Sequence, residues 1–269
     1  MTKGKSAQSA AAELFTIFAQ GRGELDFLGA RRSAPQIAQE AERLAEALAA
    51  RGYTRGRRAA LLLPNTPTFL VVVLAASRLG LELLLLDPRA DEAALFERLA
   101  DFKPELLVTS DPAPLFDKVL RLLAACPSDI PLLVERFTDL LPFPRNLLAP
   151  LLRGGAIATL PPEARFLRYG DFIRGAEAKG GLSLGEFRPM QLLGGSLEVT
   201  ALLQKISAAE VPQRFRERWL IAAPLSEPDI LARTLRGIEA GAEVILSPRL
   251  DRKSLAKITR QTGADREVS

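Results

Sequence analysis

The chain has 269 residues, 48% of them hydrophobic, with 36 basic residues against 32 acidic ones and a formal charge of +4, which is enough apolar material for a sizeable core. The charges are interspersed, which describes a solvated surface and excludes a nucleic-acid-binding arm, leaving room only for weak peripheral contact with an anionic membrane. There is no histidine, which excludes Ser-His-Asp and Cys-His nucleophiles, histidine proton shuttles and the usual catalytic zinc sites, and the single Cys126 excludes a disulfide within the chain.

The start, Met1-Thr2-Lys3-Gly4-Lys5, lacks the apolar segment of a secretory signal, so a cytoplasmic location is expected. Leu14, Phe15, Ile17 and Phe18 are spaced for a first helix over Ala10 to Gln20, stopped at Gly21-Arg22-Gly23. That glycine pair follows no strand and has no third glycine, so it reads as a turn and not a dinucleotide fingerprint. Pro35 to Arg51 is an amphipathic helix with Ile37, Ala41, Leu44, Ala45 and Leu48 on one face and Gly52 as its stop. From there the pattern alternates: a strand at Ala59 to Leu63, a helix from Pro67 to Leu79, a strand at Leu81 to Leu86, a helix over Asp91 to Asp101, a strand at Leu106 to Thr109, a helix over Pro114 to Ala125 and a strand at Ile130 to Val134. Asp91 and Glu92 stand where acidic residues favour a helix N-terminus, and Cys126 is placed in the last turn of a buried helix. No apolar run approaches the roughly eighteen residues that span a bilayer.

Between Leu140 and Gly185, Pro142, Pro144, Pro150, Pro161 and Pro162 prevent long regular elements. Arg145, Arg153, Arg165 and Arg168 fall here, either as a scattered solvated loop or as a basic patch for acyl-CoA or a lipid headgroup. Order returns with a strand at Met190 to Leu193, a helix over Leu197 to Ala209, a strand at Trp219 to Ala223 with Trp219 in the core, a helix over Pro228 to Ala240, a strand at Glu243 to Leu246 and a helix from Ser254 to Thr262. Strands apolar on both faces and separated by helices predict an α/β fold of mostly parallel sheets flanked by helices. The chain divides into a first α/β subdomain (1–139), a Pro/Gly/Arg-rich excursion (140–185) and a second α/β segment (186–269).

Leu44-Ala45-Glu46-Ala47-Leu48 through Gly52, then Gly56-Arg57-Arg58 and the strand ending Leu63-Pro64-Asn65, resemble the start of an acyl-CoA synthetase of the adenylate-forming, AMP-binding family. Arg57 replaces the acidic residue of the family's Gly-Asp-Arg-Val turn. Leu86-Asp87-Pro88 is similar to the family's next strand end. Leu140-Leu141-Pro142-Phe143-Pro144-Arg145-Asn146-Leu147-Leu148 resembles a loop of bacterial long-chain fatty-acid CoA ligases. Ala223-Pro224-Leu225, Gly241-Ala242-Glu243 and Pro248-Arg249-Leu250-Asp251 parallel later family strings. The resemblance implies the N-terminal subdomains of such an enzyme, about its first half, with the family's C-terminal domain absent.

It also implies where phosphate chemistry belongs. Family members place a Gly-, Thr- and Lys-containing loop before a helix, where backbone N–H groups, hydroxyls and a lysine meet ATP. The corresponding residues are Gly194, Gly195, Ser196, Leu197, Glu198 and Ala201: a hydroxyl becomes Leu197, the third glycine becomes Glu198 and the lysine becomes Ala201. A carboxylate about 4 Å from a phosphate costs roughly 4 kcal/mol per charge pair at an effective dielectric near 20, and losing a donor aimed at the transition state costs about 3 kcal/mol more. In the helix's first turn, Glu198 would instead offset the dipole and unpaired N–H groups at the N-terminus. The family's two histidines correspond to Ser207 and Glu227.

No catalytic residue, cofactor or metal is assigned on this basis. The resemblance implies a binding partner of an active acyl-CoA synthetase or another protein of lipid metabolism. Two alternatives stay open: one half of a split AMP-forming ligase, and a module that holds a fatty acid or acyl-CoA without activating it.

Overall fold

The computed structural model describes residues 7–126, 129–147, 156–177, 191–192 and 197–269. Helix α1 (Ala7–Ala19) leads through Gly21 to Gly23 into a hairpin, β1 (Glu24–Phe27) and β2 (Ala30–Ser33). Gly23 is required by close approach: a Cβ there would lie 2.6 Å from the carbonyl oxygen of Ile238. The hairpin turns on Leu28 (φ 55°) and Gly29 (φ 93°), and the Asp26 carboxylate accepts from Gly29 N–H at 2.8 Å.

Helix α2 (Ala34–Ala49) starts in a capping box. Ser33 Oγ accepts from Gln36 N–H, while Gln36 accepts from Ser33 N–H at 2.8 Å, so two otherwise orphaned donors are satisfied reciprocally. The parallel alternation follows: β3 (Arg58–Leu62), α3 (Pro67–Leu79), β4 (Glu82–Leu86), α4 (Glu92–Phe102), β5 (Leu106–Ser110), α5 (Ala113–Ala125) and β6 (Leu132–Glu135). Proline opens α3 and left-handed Gly80 closes it. Its residues are buried all round except Arg78, because α1, α2 and a sheet enclose it. Asp91 caps α4 by accepting from Ala94 N–H at 2.9 Å. Cys126 stands just past α5 as its half-buried C-cap, one residue beyond the expected last turn, and burial raises its thiol pKa.

After the 3₁₀ turn Phe137–Leu140 come β7 (Phe166–Arg168) and α6 (Tyr169–Glu177), then β8 (Gln191–Leu192), β9 (Leu197–Glu198), α7 (Val199–Ala208), β10 (Arg218–Ile221), α8 (Pro228–Glu239), β11 (Glu243–Leu246), α9 (Arg252–Thr262) and β12 (Arg266–Val268). Two sheets result. One runs β7-β6-β5-β3-β4-β8-β9 and is parallel except at β9; the other runs β12-β10-β11-β1-β2 and is parallel except at β2. The expected α/β fold of mostly parallel sheets flanked by helices is therefore present.

The sheets cut across the chain segments 1–139, 140–185 and 186–269. β1 pairs with β11, Leu25 beside Val244, while β8 pairs with β4, Leu83 beside Leu192. The main core lies between the two sheets, around α1, α2, α3, α7 and α8, and includes fully buried Phe18, Phe27, Phe69 and Trp219. A second core under α4 and α5 covers the other face of the larger sheet. Trp219 is 1% exposed, as its place on an apolar strand predicts.

Candidate functional site

The loop singled out in the sequence sits on the larger sheet. β8 extends β4 in parallel, and β9 folds back on β8 with Gln191 opposite Glu198 and Leu192 opposite Leu197. Residues 193–196 join the two strands; Gly194, Gly195 and Ser196 lie outside the described residues. The expected helix from Leu197 is corrected here: Leu197 and Glu198 belong to β9, and α7 starts at Val199 with no acidic residue in its first turn. Pairing with β8 engages the backbone of Leu197 and Glu198 as strand, so Glu198 precedes the helix instead of entering it. Ala201, which the resemblance sets at the family's lysine, is half-buried against the main core.

A charged cluster follows the end of β4, while β8 pairs with its start, Glu82 beside Gln191. Asp87 chelates Arg89, whose Nε and terminal nitrogen donate at 3.1 and 2.9 Å. That hydrogen bond, with a smaller contribution from Glu227, raises the Arg89 pKa. Lys118 Nζ donates to the carbonyls of Pro88 at 3.0 Å and Ala90 at 2.8 Å, which fixes the turn after β4. Glu227 is the residue before Pro228 of α8 and makes no side-chain cap. Ser207 Oγ donates back to the Leu203 carbonyl at 2.9 Å, within its own helix.

Asn65, in the Leu-Pro-Asn string, staples the sheets together. Its Nδ2 donates to the Ala223 carbonyl at 2.9 Å and its Oδ1 accepts from Leu225 N–H at 2.9 Å. Two separated family-like strings thus meet through one buried amide, a role that sequence spacing does not disclose.

A second polar group lies at the carboxyl ends of β5 and β6. Glu135 is 1% exposed, and both its carboxylate oxygens are buried without a hydrogen-bond partner of good geometry, as are the hydroxyls of Thr66, Thr68 and Ser110. Burial pushes the Glu135 pKa from 4.5 up to about 7, with partial opposition from the three facing hydroxyls and Arg32. Arg32 is itself committed to Glu40 at 2.8 Å, and Tyr169 O–H donates to the same carboxylate at 2.9 Å. Burial, then Glu40, raises the Tyr169 pKa well above 10.0. The signal for this group in sequence was a lone glutamate ending the apolar run Leu132-Leu133-Val134.

The four loop arginines do not form one patch among the described residues. Arg145 donates to the Leu28 carbonyl at 3.1 Å, Arg165 pairs with Asp129 at 3.1 Å and Glu163 at 2.8 Å, Arg168 is exposed at the end of β7 and Arg153 lies outside the described residues.

Two packed, largely parallel sheets, with a pair of short antiparallel strands before a helix on one edge, have the architecture of the N-terminal subdomains of adenylate-forming enzymes. Residues 19–149 match the family described as AMP-binding enzyme, and 127 residues are 29% identical to a long-chain-fatty-acid–CoA ligase of Bacillus subtilis (strain 168), covering 47% of this chain and 22% of that ligase. Over that stretch the chain is similar to a long-chain fatty-acid CoA ligase, the likeness that its motifs carried. In fold it resembles coronafacic acid ligase of Pectobacterium brasiliense (10% identity, TM-score 0.71, 98% of this chain and 49% of that one). It also resembles a fatty acyl CoA synthetase of Mycobacterium tuberculosis (17% identity, TM-score 0.61, 94% of this chain and 48% of that one). The chain spans about half the length of these two structures.

Proposed function

We propose that this acyl-CoA-ligase-like chain acts by binding, as a partner of an active acyl-CoA synthetase or another protein of lipid metabolism, and does not activate ATP. The observation that carries this reading is Ala201: where a family lysine would project to phosphate, a methyl group packs against the core. Lys205, one turn beyond Ala201 on α7, is paired with Asp229 at 2.6 Å. Glu198 adds a formal negative charge just before α7. Ala201 and Glu198 do not fit a triphosphate. Burial of Glu135 under three hydroxyls provides no group near that loop, since β6 and β8 are separated by β5, β3 and β4.

The test is carboxylate-dependent exchange of pyrophosphate into ATP, alongside calorimetric titration with Mg-ATP. No exchange above a protein-free blank and no saturable ATP binding are expected, with an acyl-CoA synthetase recovered by the tagged chain from native extract. Carboxylate-dependent exchange above the blank, or micromolar ATP affinity of the unsubstituted chain, would overturn the reading.

A further inference from the structure

We infer that the open edge of β7 is a docking edge for a partner protein, which adds an extended segment there as a further strand and sets acidic side chains against Arg51 and Arg168. This deepens the binding role proposed above, and rests on it for the nature of the occupant, a protein, while naming the surface and the chemistry of the segment. The edge lies at the opposite end of the larger sheet from β8 and β9.

β7 ends the strand order of the larger sheet, and among the described residues β6 is its only partner, with Leu133 beside Leu167. The unpaired side of such a strand presents backbone N–H and C=O groups that another chain can extend. A cleft of about 450 Å³ runs along this edge and is lined by all of β7, Phe166, Leu167 and Arg168. Its walls come from both faces of the sheet: Leu160 and Phe166 pack on the second core, Leu167 and Phe172 on the main one. A strand suits a cleft that wraps a sheet edge in this way, because its side chains alternate between the two faces. β7 is only three residues long, so backbone pairing there is brief and side chains in the cleft must carry selectivity.

Charge sets the composition of the segment. Arg168 is exposed and, two residues after Phe166, shares its face. Arg51 belongs to the other face: its guanidinium lies 4.0 Å over the Phe172 ring and donates to the Ala47 carbonyl at 3.0 Å. The rest of its planar donor fork is left for a carboxylate. The two acids on the walls, Glu163 and Asp171, are engaged by Arg165 and Arg174, neither of which lines the cleft. Among the described residues no carboxylate pairs with Arg51 or Arg168. Each face of the edge thus offers one cation beside apolar walls. The complementary strand has two consecutive acids, one for each face, between apolar residues.

Titration of the whole chain with the peptide acetyl-Thr-Ile-Val-Asp-Glu-Val-Ile-Thr-amide, followed by amide chemical shifts, tests this. Two control peptides accompany it, one with Asn-Gln in place of Asp-Glu and one with proline in place of both valines, which cannot pair as a central strand. Saturable binding of the acidic peptide is expected, with shifts concentrated at Arg51 and from Phe166 to Phe172. The neutral control should bind at least fivefold more weakly and the proline control at least tenfold. Arg168→Glu, on an exposed side chain, is expected to weaken the acidic peptide at least fivefold without changing the peptide-free melting temperature, and Arg51→Gln provides a second variant with the same expectation for binding. Equal affinity for the neutral control, or wild-type affinity in both variants, overturns the charge assignment; equal affinity for the proline control overturns strand addition; absence of saturation overturns both. Pyrophosphate exchange and ATP titration report on the other end of the sheet, so failure there and failure here are separate results.

Discussion

Glu135 shows how one side chain can set a pH dependence. An ionised carboxylate with no cation of its own and no well-formed hydrogen bond is unfavourable in a core, and burial raises its pKa from 4.5 to about 7. Between those values the folded chain holds a proton that the unfolded chain has released. The stabilising contribution is therefore complete below about pH 4.5 and is lost as pH rises through about 7, up to about 3 kcal/mol in all. Glu135→Gln keeps the shape and cannot titrate. Urea midpoints from pH 4.5 to 8 are expected to fall with pH more steeply in the wild type than in the variant, and parallel profiles would refute the assignment. The residue escaped sequence reading because a glutamate closing an apolar run looks like the solvated end of a strand. Only the convergence of Thr66, Thr68 and Ser110 from β5 and the start of α3 makes it a buried group.

Among the elements, those with strong local signals were legible. α2 has its cap, its proline and its apolar face in the sequence, and α3 runs from Pro67 to the residue before Gly80 as predicted. Ser33→Ala removes the acceptor for Gln36 N–H and half of the reciprocal box, so a loss of about 1 kcal/mol is expected, read as a lower urea midpoint with an unchanged slope. The β1–β2 hairpin was not legible: its turn places Leu28 at φ 55°, where asparagine or glycine is the usual signal, and Arg31-Arg32 gives β2 a polar look. β12 was missed because Arg266-Glu267-Val268 has one apolar residue, and β7 with α6 because the prolines before them suggest irregular chain. β6 begins at Leu132 instead of Ile130, since Pro131 in between cannot donate to a ladder. The candidate loop is a different case. Local pattern placed a strand and a helix around it, but its connection with phosphate came from family resemblance, and the two-residue β9 that moves the helix start to Val199 is too short to show in a periodicity.

At the scale of the molecule, the order of strands in space departs from their order in the chain, and this has a measurable consequence. β1 and β2 come from the first 33 residues, yet β1 lies beside β11, and β10 and β12 complete that sheet. The amide of Asn65 ties the end of β3 to Ala223 and Leu225 after β10, and one continuous core includes residues from Leu14 to Val268. A chain segment 1–139 folding alone would leave β1 without its parallel partner β11 and the main core without Trp219 and the face supplied by α8. Cooperative unfolding is therefore expected across the segments. Trp219 reports on the smaller sheet, which contains it, while far-UV circular dichroism reports on all the helices. Their urea transitions should coincide in midpoint and slope. Asn65→Ala leaves the Ala223 carbonyl and Leu225 N–H unpaired in the interior, a loss of about 1 to 3 kcal/mol, and both transitions should move together to lower urea. A Trp219 transition that shifts while the helical signal stays put would mean that the sheets unfold as separate units and that the staple does not join them energetically.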